Sequence, residues 1–517
     1  MPRRPPEGGD ICAIFIHAGA GFHSHQNEKV HLTAVNDAAR VGMAVLKNGG
    51  DATDAVEMAL RLLEDKEITN AGYGSNLTMD GGVECDATLV DHYGRSGAVG
   101  AIAQVKNPIA VARLVLEEST KPLSLQRVPP NLLVGPGATD FAAGKGIPIL
   151  PADFLISEGA RDRWIRWKRD LERVQNEEAQ RQTQAQQIAE GVPQAEWTAA
   201  ATSMAPTTSP RKRPSLSGMP TMTRPLVAST ADVPTLPHTY NDPVSPFRRS
   251  GTHHNAPDGN ASHDRSSETN SSQTATDDSL PWLMSATKRQ KTSDSFDGPS
   301  SEEAIPANEH GNPFDASMAR FDNHVREDEV YDTVGAIAVD CFGRIAAGSS
   351  SGGIGMKHKG RCGPAALVGT GTAIIPVHPR DSSETCVATV CSGTGEHMAT
   401  TTAAATAADR IYNAVRKEDG RLVHCNEDDA MRSIIVNDFM DHPGVAHSHC
   451  AGAIGILAVK KTLDGVYFYF GHNTDSFALA SMHSEERKPV CTMSRSRGHG
   501  AIAQGGRVSR SRFARTR

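Results

Sequence analysis

A long stretch of the chain, residues 192–332, lacks the apolar spacing that a packed core requires, and it limits the possible folds more than any other feature. Ser, Thr, Pro, Asn, Asp and His dominate it. Across all 517 residues, hydrophobic residues make up only 38% and aromatic residues 5%, as is typical of a chain with a large unpacked part. We therefore predict an ordered N-terminal part over residues 1–191, a disordered linker over 192–332, and an ordered C-terminal part over 333–517.

Both flanking parts alternate strand-like and helix-like runs, which indicates an α/β (α+β) fold. Asp51 is placed to cap a helix over residues 52–64, and Asn107 is placed to cap the next one. The other predicted elements are strands at 11–16, 333–339, 344–347, 387–391, 452–459 and 466–470, and helices at 29–47, 161–190 and 396–415. A basic tail follows residue 495.

The charge and cysteine content exclude some classes of partner. The net charge is −7 and the pI about 6.3, so the whole chain shows no general affinity for nucleic acid or anionic membranes. The nine cysteines are scattered singly, which favours reduced thiols in the nucleus or cytoplasm over a disulfide framework. No apolar run approaches the ~20 residues of a transmembrane helix. We expect neither a direct nucleic-acid partner nor a membrane partner.

Two short basic clusters in the linker are typical of nuclear-import signals, which an import receptor would bind. The alternative is solvated charge in a linker. The clusters are Arg211, Lys212 and Arg213, and Lys288, Arg289 and Lys291.

Residues 331–340 begin an apolar, β-branched run immediately after the linker, with Asp332 directly before Thr333. Cleavage between these two residues would give Thr333 a free α-amine beside its own hydroxyl. Such an amine titrates near ~7.7–8.0, so much of it is a neutral base at physiological pH. It can then activate the hydroxyl as a nucleophile. The alternative is an ordinary strand in which Thr merely suits β geometry.

Six motifs lie in the two ordered parts: Ile-His-Ala-Gly-Ala-Gly at 16–21, Thr-Asn-Ala-Gly-Tyr-Gly-Ser-Asn-Leu at 69–77, Glu-Cys-Asp-Ala at 84–87, Asp-Thr-Val-Gly-Ala at 332–336, Ser-Ser-Gly-Gly at 350–353, and Ser-Gly-Thr-Gly-Glu-His at 392–397. Each is weak alone. In this order they resemble the plant-type asparaginase and isoaspartyl peptidase family of N-terminal-nucleophile hydrolases. Within that family they are most similar to the threonine aspartase (taspase) branch.

The resemblance implies a four-layer αββα sandwich interrupted by the long insertion. It implies that Thr333 is the nucleophile and the new N-terminus, freed by autocleavage after Asp332. The resulting α and β chains would interlock, and the αβ unit would pair again to (αβ)2. No metal and no cofactor is needed for this chemistry.

The resemblance also assigns roles to residues outside the cleavage site. Ser351 stands where many relatives have a second Thr and would support the nucleophile. Ser392 and Gly393 match the positions that stabilise the oxyanion, and Arg361 matches the arginine that binds a substrate carboxylate. Asn70 is a further candidate for substrate binding, although it could be a plain turn residue. His17 and Asn76 are weaker candidates that could simply be buried and hydrogen-bonded.

One departure from the family pattern bears on the substrate. Relatives that act on free asparagine or isoaspartyl dipeptides usually have Asp three residues after the arginine, where it holds the substrate ammonium. This chain has Pro364 there. An aspartyl residue inside a protein presents a side-chain carboxylate but no ammonium, so Arg361 alone suits it. We therefore predict an endopeptidase that cleaves after Asp, with the Asp332–Thr333 bond as its first substrate.

Two alternatives stay open. One is an asparaginase or isoaspartyl peptidase that tolerates Pro364. The other, from a different class, is a non-catalytic nuclear adaptor that uses the linker as a docking region. A zinc site in His447-Ser448-His449-Cys450 is disfavoured, because no second ligand pair lies nearby in the sequence.

Overall fold

The computed structural model describes residues 11–191, 333–498 and 500–510. The whole of the predicted linker, including the two basic clusters and Asp332, lies outside these residues. Among the described helices, none combines the length and the apolar character of a membrane-spanning segment.

The N-terminal part begins with a strand followed by two helices, as the sequence predicts. Its elements are β1 (Ala13–Gly21), α1 (Glu28–Lys47), α2 (Ala52–Glu64), β2 (Cys85–Val90), β3 (Ser96–Ile102), α3 (Pro108–Ser119), β4 (Leu132–Val134), α4 (Gly135–Gly144) and α5 (Glu158–Gly191). Asp51 caps α2 as predicted, because its side chain accepts a hydrogen bond from the Asp54 amide in a capping box. Asn107 does not cap α3; its amide group bonds to Arg61 and Asp65 at the end of α2 instead.

The C-terminal part begins with a hairpin and is richer in strands. Its elements are β5 (Val334–Val339), β6 (Ile345–Ser351), β7 (Thr372–Ile375), β8 (Cys386–Gly393), α6 (Gly395–Thr401), α7 (Ala403–Asn413), β9 (Val415–Glu418), β10 (Arg421–His424), α8 (Glu427–Ser433), a π-helix (Ile434–Met440), α9 (Pro443–Ala446), β11 (Ile454–Thr462), β12 (Gly465–His472), β13 (Ser476–His483), β14 (Val490–Arg495) and β15 (Ala503–Arg510).

Three details differ from the sequence prediction. The helix predicted over 396–415 is broken into α6 and α7 at Thr402, which has a positive φ of 47°. No strand is predicted over the Glu-Cys-Asp-Ala motif, yet Cys85 and Asp86 belong to strand β2. Part of the basic tail forms β15, the edge strand of a sheet.

Strands from both parts of the chain share one sheet. The eight-stranded sheet has the order β14-β13-β1-β5-β6-β2-β3-β4, and all neighbours in it are antiparallel except β3 and β4. Strand β5 lies near the middle, paired with β1 on one side and β6 on the other. A second sheet of five strands has the order β15-β12-β11-β8-β7.

Three apolar clusters fix the order of the layers. The first lies between helices α1 to α3 and the eight-stranded sheet, the second between the five-stranded sheet and helices α7 and α8, and the third between the two sheets. Because each sheet is buried on both faces, the layers follow one another as helix, sheet, sheet, helix. This confirms the predicted four-layer αββα sandwich.

Candidate active site

Strand β5 directs Thr333 into the space between the two sheets. Val334 and Ala336 belong to the helix–sheet cluster, whereas Ile337 belongs to the cluster between the sheets. Because side chains alternate along a strand, Thr333 lies on the same side as Ile337. Thr333 is only 3% exposed. A threonine that was present only because it suits β geometry would not need to be buried directly before a strand.

The strand register places Ser351 opposite Thr333. The β5–β6 ladder pairs Val334 with Ser350, so the next pair outward is Thr333 and Ser351. The β2–β6 ladder in turn pairs Ser351 with Asp86. Directly opposite side chains in antiparallel strands have Cβ atoms about 4.5–5.5 Å apart. Thr333, Ser351 and Asp86 therefore form one row across three strands, facing the second sheet.

Ser392 reaches this row from the facing sheet. It follows Val390, which belongs to the cluster between the sheets, and its hydroxyl accepts a 3.1 Å hydrogen bond from the backbone amide of Ala20 on β1. Ala20 lies beyond the pairing of His17 with Gly335, at the Thr333 end of the sheet.

Gly393 ends the same strand as Ser392 under tight steric limits. Its φ is +148°, and a Cβ atom there would come within 2.1 Å of the carbonyl oxygen of Ala453. No other residue fits at this position. Only Thr394 separates β8 from α6.

The hydroxyl groups in this row have unused protons. Ser351 Oγ accepts from the Gly353 amide at 3.0 Å, and Ser392 Oγ accepts from Ala20. Within the described part of the chain, neither hydroxyl donates to another group. Several other buried hydroxyls do donate; Ser350, for example, donates to Glu64 Oε1 at 2.7 Å. The site therefore has hydroxyl groups that can donate a hydrogen bond to a substrate oxygen.

His17 lies on β1, which pairs with β5. Its imidazole covers Gly335, where a Cβ atom would come within 2.2 Å of Nε2, and its ring packs against Phe477 at 5.4 Å. Burial lowers the pKa of His17 to about 3, and the adjacent backbone of Thr333 offsets this only in part. His17 is therefore neutral at physiological pH and adds no charge beside Thr333.

The guanidinium of Arg361 packs closely against three glycines. Cβ atoms added to Gly353, Gly363 and Gly395 would each fall within 2.9 Å of its guanidinium nitrogens. Its Nε and Nη2 donate to Glu396 Oε1 at 3.0 and 2.7 Å. Nη1 has no acceptor among the described residues, so one side of the guanidinium remains available. The side chain of Glu396 is 61% exposed.

Two carboxylates from β2 and its preceding residue hold the loop that carries Arg361. Glu84 Oε2 accepts from the Gly360 amide and Asp86 Oδ2 from the Gly363 amide, both at 2.7 Å. The loop is thus fixed immediately before and two residues after Arg361. Sequence reasoning quoted the Glu-Cys-Asp-Ala motif but gave neither carboxylate a role.

Asn70 supports the wall of the site with both ends of its side chain. Nδ2 donates to the Gly353 carbonyl at 2.7 Å, and Oδ1 accepts from the Asn76 amide at 2.9 Å. Asn76 Nδ2 contacts the same carbonyl at 3.3 Å. Asn70 is fully buried. In this structure its contacts shape the backbone next to Ser351.

One cavity of the described structure lies at the far end of these strands from Thr333. A cavity of about 310 Å³ is lined by Asp91, Arg95, Asp340 and Arg344, at the opposite ends of β2, β5 and β6 from Thr333. Across the described residues, no three His, Cys, Asp or Glu side chains are grouped to hold a metal ion. His447, His449 and Cys450 are exposed.

Comparison with known proteins adds independent findings. The family model described as asparaginase matches residues 11–200 and 259–456, which is more than half of the chain. Isoaspartyl peptidase/L-asparaginase of Danio rerio is 40% identical over 165 residues, 31% of this chain and 49% of that protein. The Homo sapiens protein of the same name is 38% identical over 176 residues, 34% of this chain and 52% of its own length. The chain thus spans about half the length of the curated relatives it matches.

Proposed function

Because this chain belongs to the asparaginase family of N-terminal-nucleophile hydrolases, we propose that it is a threonine endopeptidase of the threonine aspartase type. It cleaves its own Asp332–Thr333 bond and then cleaves protein substrates after Asp. The support is the row of Thr333 and Ser351, which faces Ser392. Arg361 lies in a loop that Asp86 holds through the amide of Gly363, two residues after Arg361.

The first step is an attack on the chain itself. The Thr333 hydroxyl oxygen adds to the carbonyl carbon of Asp332, the bond to the Thr333 nitrogen breaks, and an ester forms. Water hydrolyses that ester, which leaves a carboxylate on Asp332 and a free α-amine on Thr333. The amine then serves as the base for later substrates, since it titrates near ~7.7–8.0.

Attack on each substrate creates negative charge on a carbonyl oxygen. Ser392 lies across the space between the sheets with an unused hydroxyl proton, which suits a donor to that oxygen. Ser351, opposite Thr333, suits a donor that polarises the nucleophile. Gly393 allows the close approach of β8 to the Ala453 carbonyl.

The observation that carries the choice of substrate is the pairing of Arg361 with Pro364. Pro364 lies against the same corner as the guanidinium: a Cβ atom on Gly395 would be 2.6 Å from Arg361 Nη2 and 2.8 Å from Pro364 Cδ. The position that could carry an acid for an ammonium therefore presents a proline ring. A side-chain carboxylate without an ammonium fits this corner, and an internal aspartyl residue provides one.

A second candidate is an asparaginase or isoaspartyl peptidase, and one contact favours it. Glu396 is a half-exposed carboxylate 2.7 Å from Arg361. Free asparagine could bind with its carboxylate on Arg361 and its ammonium on Glu396. The names of the matched relatives, isoaspartyl peptidase/L-asparaginase, agree with that activity.

Three substrates separate these functions. The processed protein is assayed on a peptide with an internal Asp, on free asparagine and on an isoaspartyl dipeptide. We expect cleavage of the peptide after Asp and little turnover of the other two. Turnover of asparagine or the dipeptide without peptide cleavage would establish the second candidate instead. An E396Q variant assayed in parallel reports whether any asparagine turnover depends on that carboxylate.

A further inference from the structure

Lys357 is an unusual residue in the wall behind Arg361. It is 1% exposed and is the largest of the fully buried side chains in the described part of the chain. Its Nζ donates to the carbonyl oxygen of Glu84 at 2.7 Å. A buried ammonium needs compensation by an anion as well as by hydrogen bonds. No function assigned so far uses it.

Asp86 is a buried carboxyl whose charged form Lys357 stabilises electrostatically. Its carboxyl is buried and accepts backbone hydrogen bonds from Ala101 at 2.8 Å and Gly363 at 2.7 Å. Burial raises the pKa of Asp86, while the positive charges of Lys357 and Arg361 act in the opposite direction. Asp86 is therefore within electrostatic range of two cations, the buried Lys357 and the partly exposed Arg361.

The backbone brings the two cations to the same glycine. A Cβ atom on Gly353 would be 2.9 Å from Arg361 Nη1 and 3.3 Å from Lys357 Nζ. A Cβ atom on Gly363 would be 3.0 Å from Asp86 Oδ2 and 2.8 Å from Arg361 Nη1. Because opposite charges this close attract strongly at low dielectric, Asp86 is a potential partner for Arg361 as well as for Lys357.

We propose that Lys357 is a positioning residue that satisfies Asp86 and so keeps Arg361 Nη1 free for the carboxylate of the substrate. This inference rests on the proposed role of Arg361 in substrate binding. With Lys357 present, Asp86 is compensated from inside the protein. Without it, Arg361 is the only cation beside Asp86, and the guanidinium turns toward Asp86 and away from the substrate.

The prediction separates substrate binding from turnover. K357M should raise KM for an aspartyl peptide by about tenfold or more, the effect of losing one charge-assisted contact. Its kcat should change much less, because Thr333, Ser351 and Ser392 are untouched. K357R, which keeps the charge, should restore most of the binding. K357Q, which can still donate to the Glu84 carbonyl but carries no charge, should raise KM as K357M does.

A matched control is K461M. Lys461 is likewise nearly buried and paired, with its Nζ 2.8 Å from Glu384, but it pairs with Cys386 at the end of β8 distant from Ser392. Its loss should lower stability without changing KM. Steady-state kinetics and thermal unfolding are measured for all five proteins, on whichever of the three carboxylate-bearing substrates the wild type turns over.

The outcomes are distinguishable. A wild type that turns over asparagine alone refutes the endopeptidase, and the KM comparison then tests Lys357 on asparagine. A wild type with no turnover refutes both proposals. A folded K357M with wild-type KM, or a K461M with an equal rise in KM, refutes the role of Lys357 alone. If K357M does not fold, K357Q takes its place, and a folded K357Q with wild-type KM refutes the proposal.

Discussion

The two ends of strands β5 and β6 are built in different ways. At the hairpin end, Asp340 Oδ1 accepts from the amides of Phe342 and Arg344, only two and four residues away. At the Thr333 end, the polar groups come from distant parts of the chain, as when Ala20 donates to Ser392. The hairpin end also lines the 310 Å³ cavity, whereas Thr333 is almost completely buried.

The neighbouring hairpin between β2 and β3 repeats the local design. Asp91 Oδ1 accepts from the amides of Tyr93 and Arg95, and Arg95 lies over the Tyr93 ring at 4.8 Å. Arg344 lies over Phe342 in the same way, at 5.2 Å. Local turns that satisfy their own polar groups need no further partner. The size of a cavity is therefore a poorer guide to the chemistry here than the convergence of polar groups from separate strands.

The largest expected effect comes from the nucleophile. T333A should remain a single chain of 517 residues and lose activity by at least about 10³, because no oxygen is left to attack. T333S keeps the oxygen and should still yield a fragment that begins at residue 333. Intact mass and N-terminal sequencing check both. A cut T333A chain, or a wild type that stays uncut on incubation, would contradict the proposal and favour an adaptor.

The next effect tests the facing sheet. S392A should lower kcat by about 10²–10³, the usual loss of one oxyanion donor. S349A is the control, since Ser349 also bridges the sheets by accepting a 2.8 Å hydrogen bond from Thr372, but it pairs with Gly335 and not with Thr333. S349A should lose some stability and keep its kcat. Equal losses of kcat in the two variants would show that sheet packing matters, and not the Ser392 donor.

A smaller effect is expected from Glu64, a buried acid that accepts a hydrogen bond from Ser350. Burial raises the pKa of Glu64 from its ordinary value of 4.5 to about 8, although Ser350 and the Ile109 amide bond to it. Between these pH values the folded state holds a proton that the unfolded state has released. Stability therefore falls as pH rises through this window, by up to about 1.4 kcal/mol per unit.

E64Q removes this dependence, because the amide oxygen still accepts both hydrogen bonds and the amide does not ionise. Urea unfolding at pH 5, 6, 7 and 8 should show a falling free energy of unfolding for the wild type and a flatter one for E64Q. Parallel curves for the two proteins would mean that Glu64 is not the group responsible.

The smallest effect is expected at the hairpin end. R344A should lower the free energy of unfolding by about 0.5–1 kcal/mol, the loss of one exposed cation–π contact. Activity should stay at the wild-type level, because Arg344 is at the far end of β6 from Ser351. A clear fall in kcat would show that the two ends communicate, and would break the distinction drawn between them.

Much of the fold follows from local sequence. The β5–β6 hairpin, helices α1 and α2 and the cap at Asp51 all lie where apolar spacing and capping residues indicate. The break at Thr402 was missed because Ala and Thr continue smoothly through 398–408, and nothing in that composition marks a change in backbone angle. Strands β13 and β14 were missed because pairing decides their conformation and not their own pattern: β13 pairs with distant β1, and β14 pairs with β13.

The candidate site divides in the same way. A hairpin predicted from adjacent residues is enough to bring Thr333 opposite Ser351. The contributions of Asp86 and Lys357 depend on the pairing of β2 with β6 and on the folding of a loop, which no short-range pattern encodes. Glu396 was visible in the motif, but its bond to Arg361 joins a loop to a helix start and needed the structure.

The interior position of β5 has a consequence for the two products of the proposed cut. A chain starting at Thr333 would contribute a middle strand to a sheet whose neighbouring strand belongs to the other product. The two products could therefore separate only if the sheet opened between β1 and β5, so dilution should not separate them. Either product purified alone should expose an unpaired strand edge, which is prone to pair with a strand of another molecule.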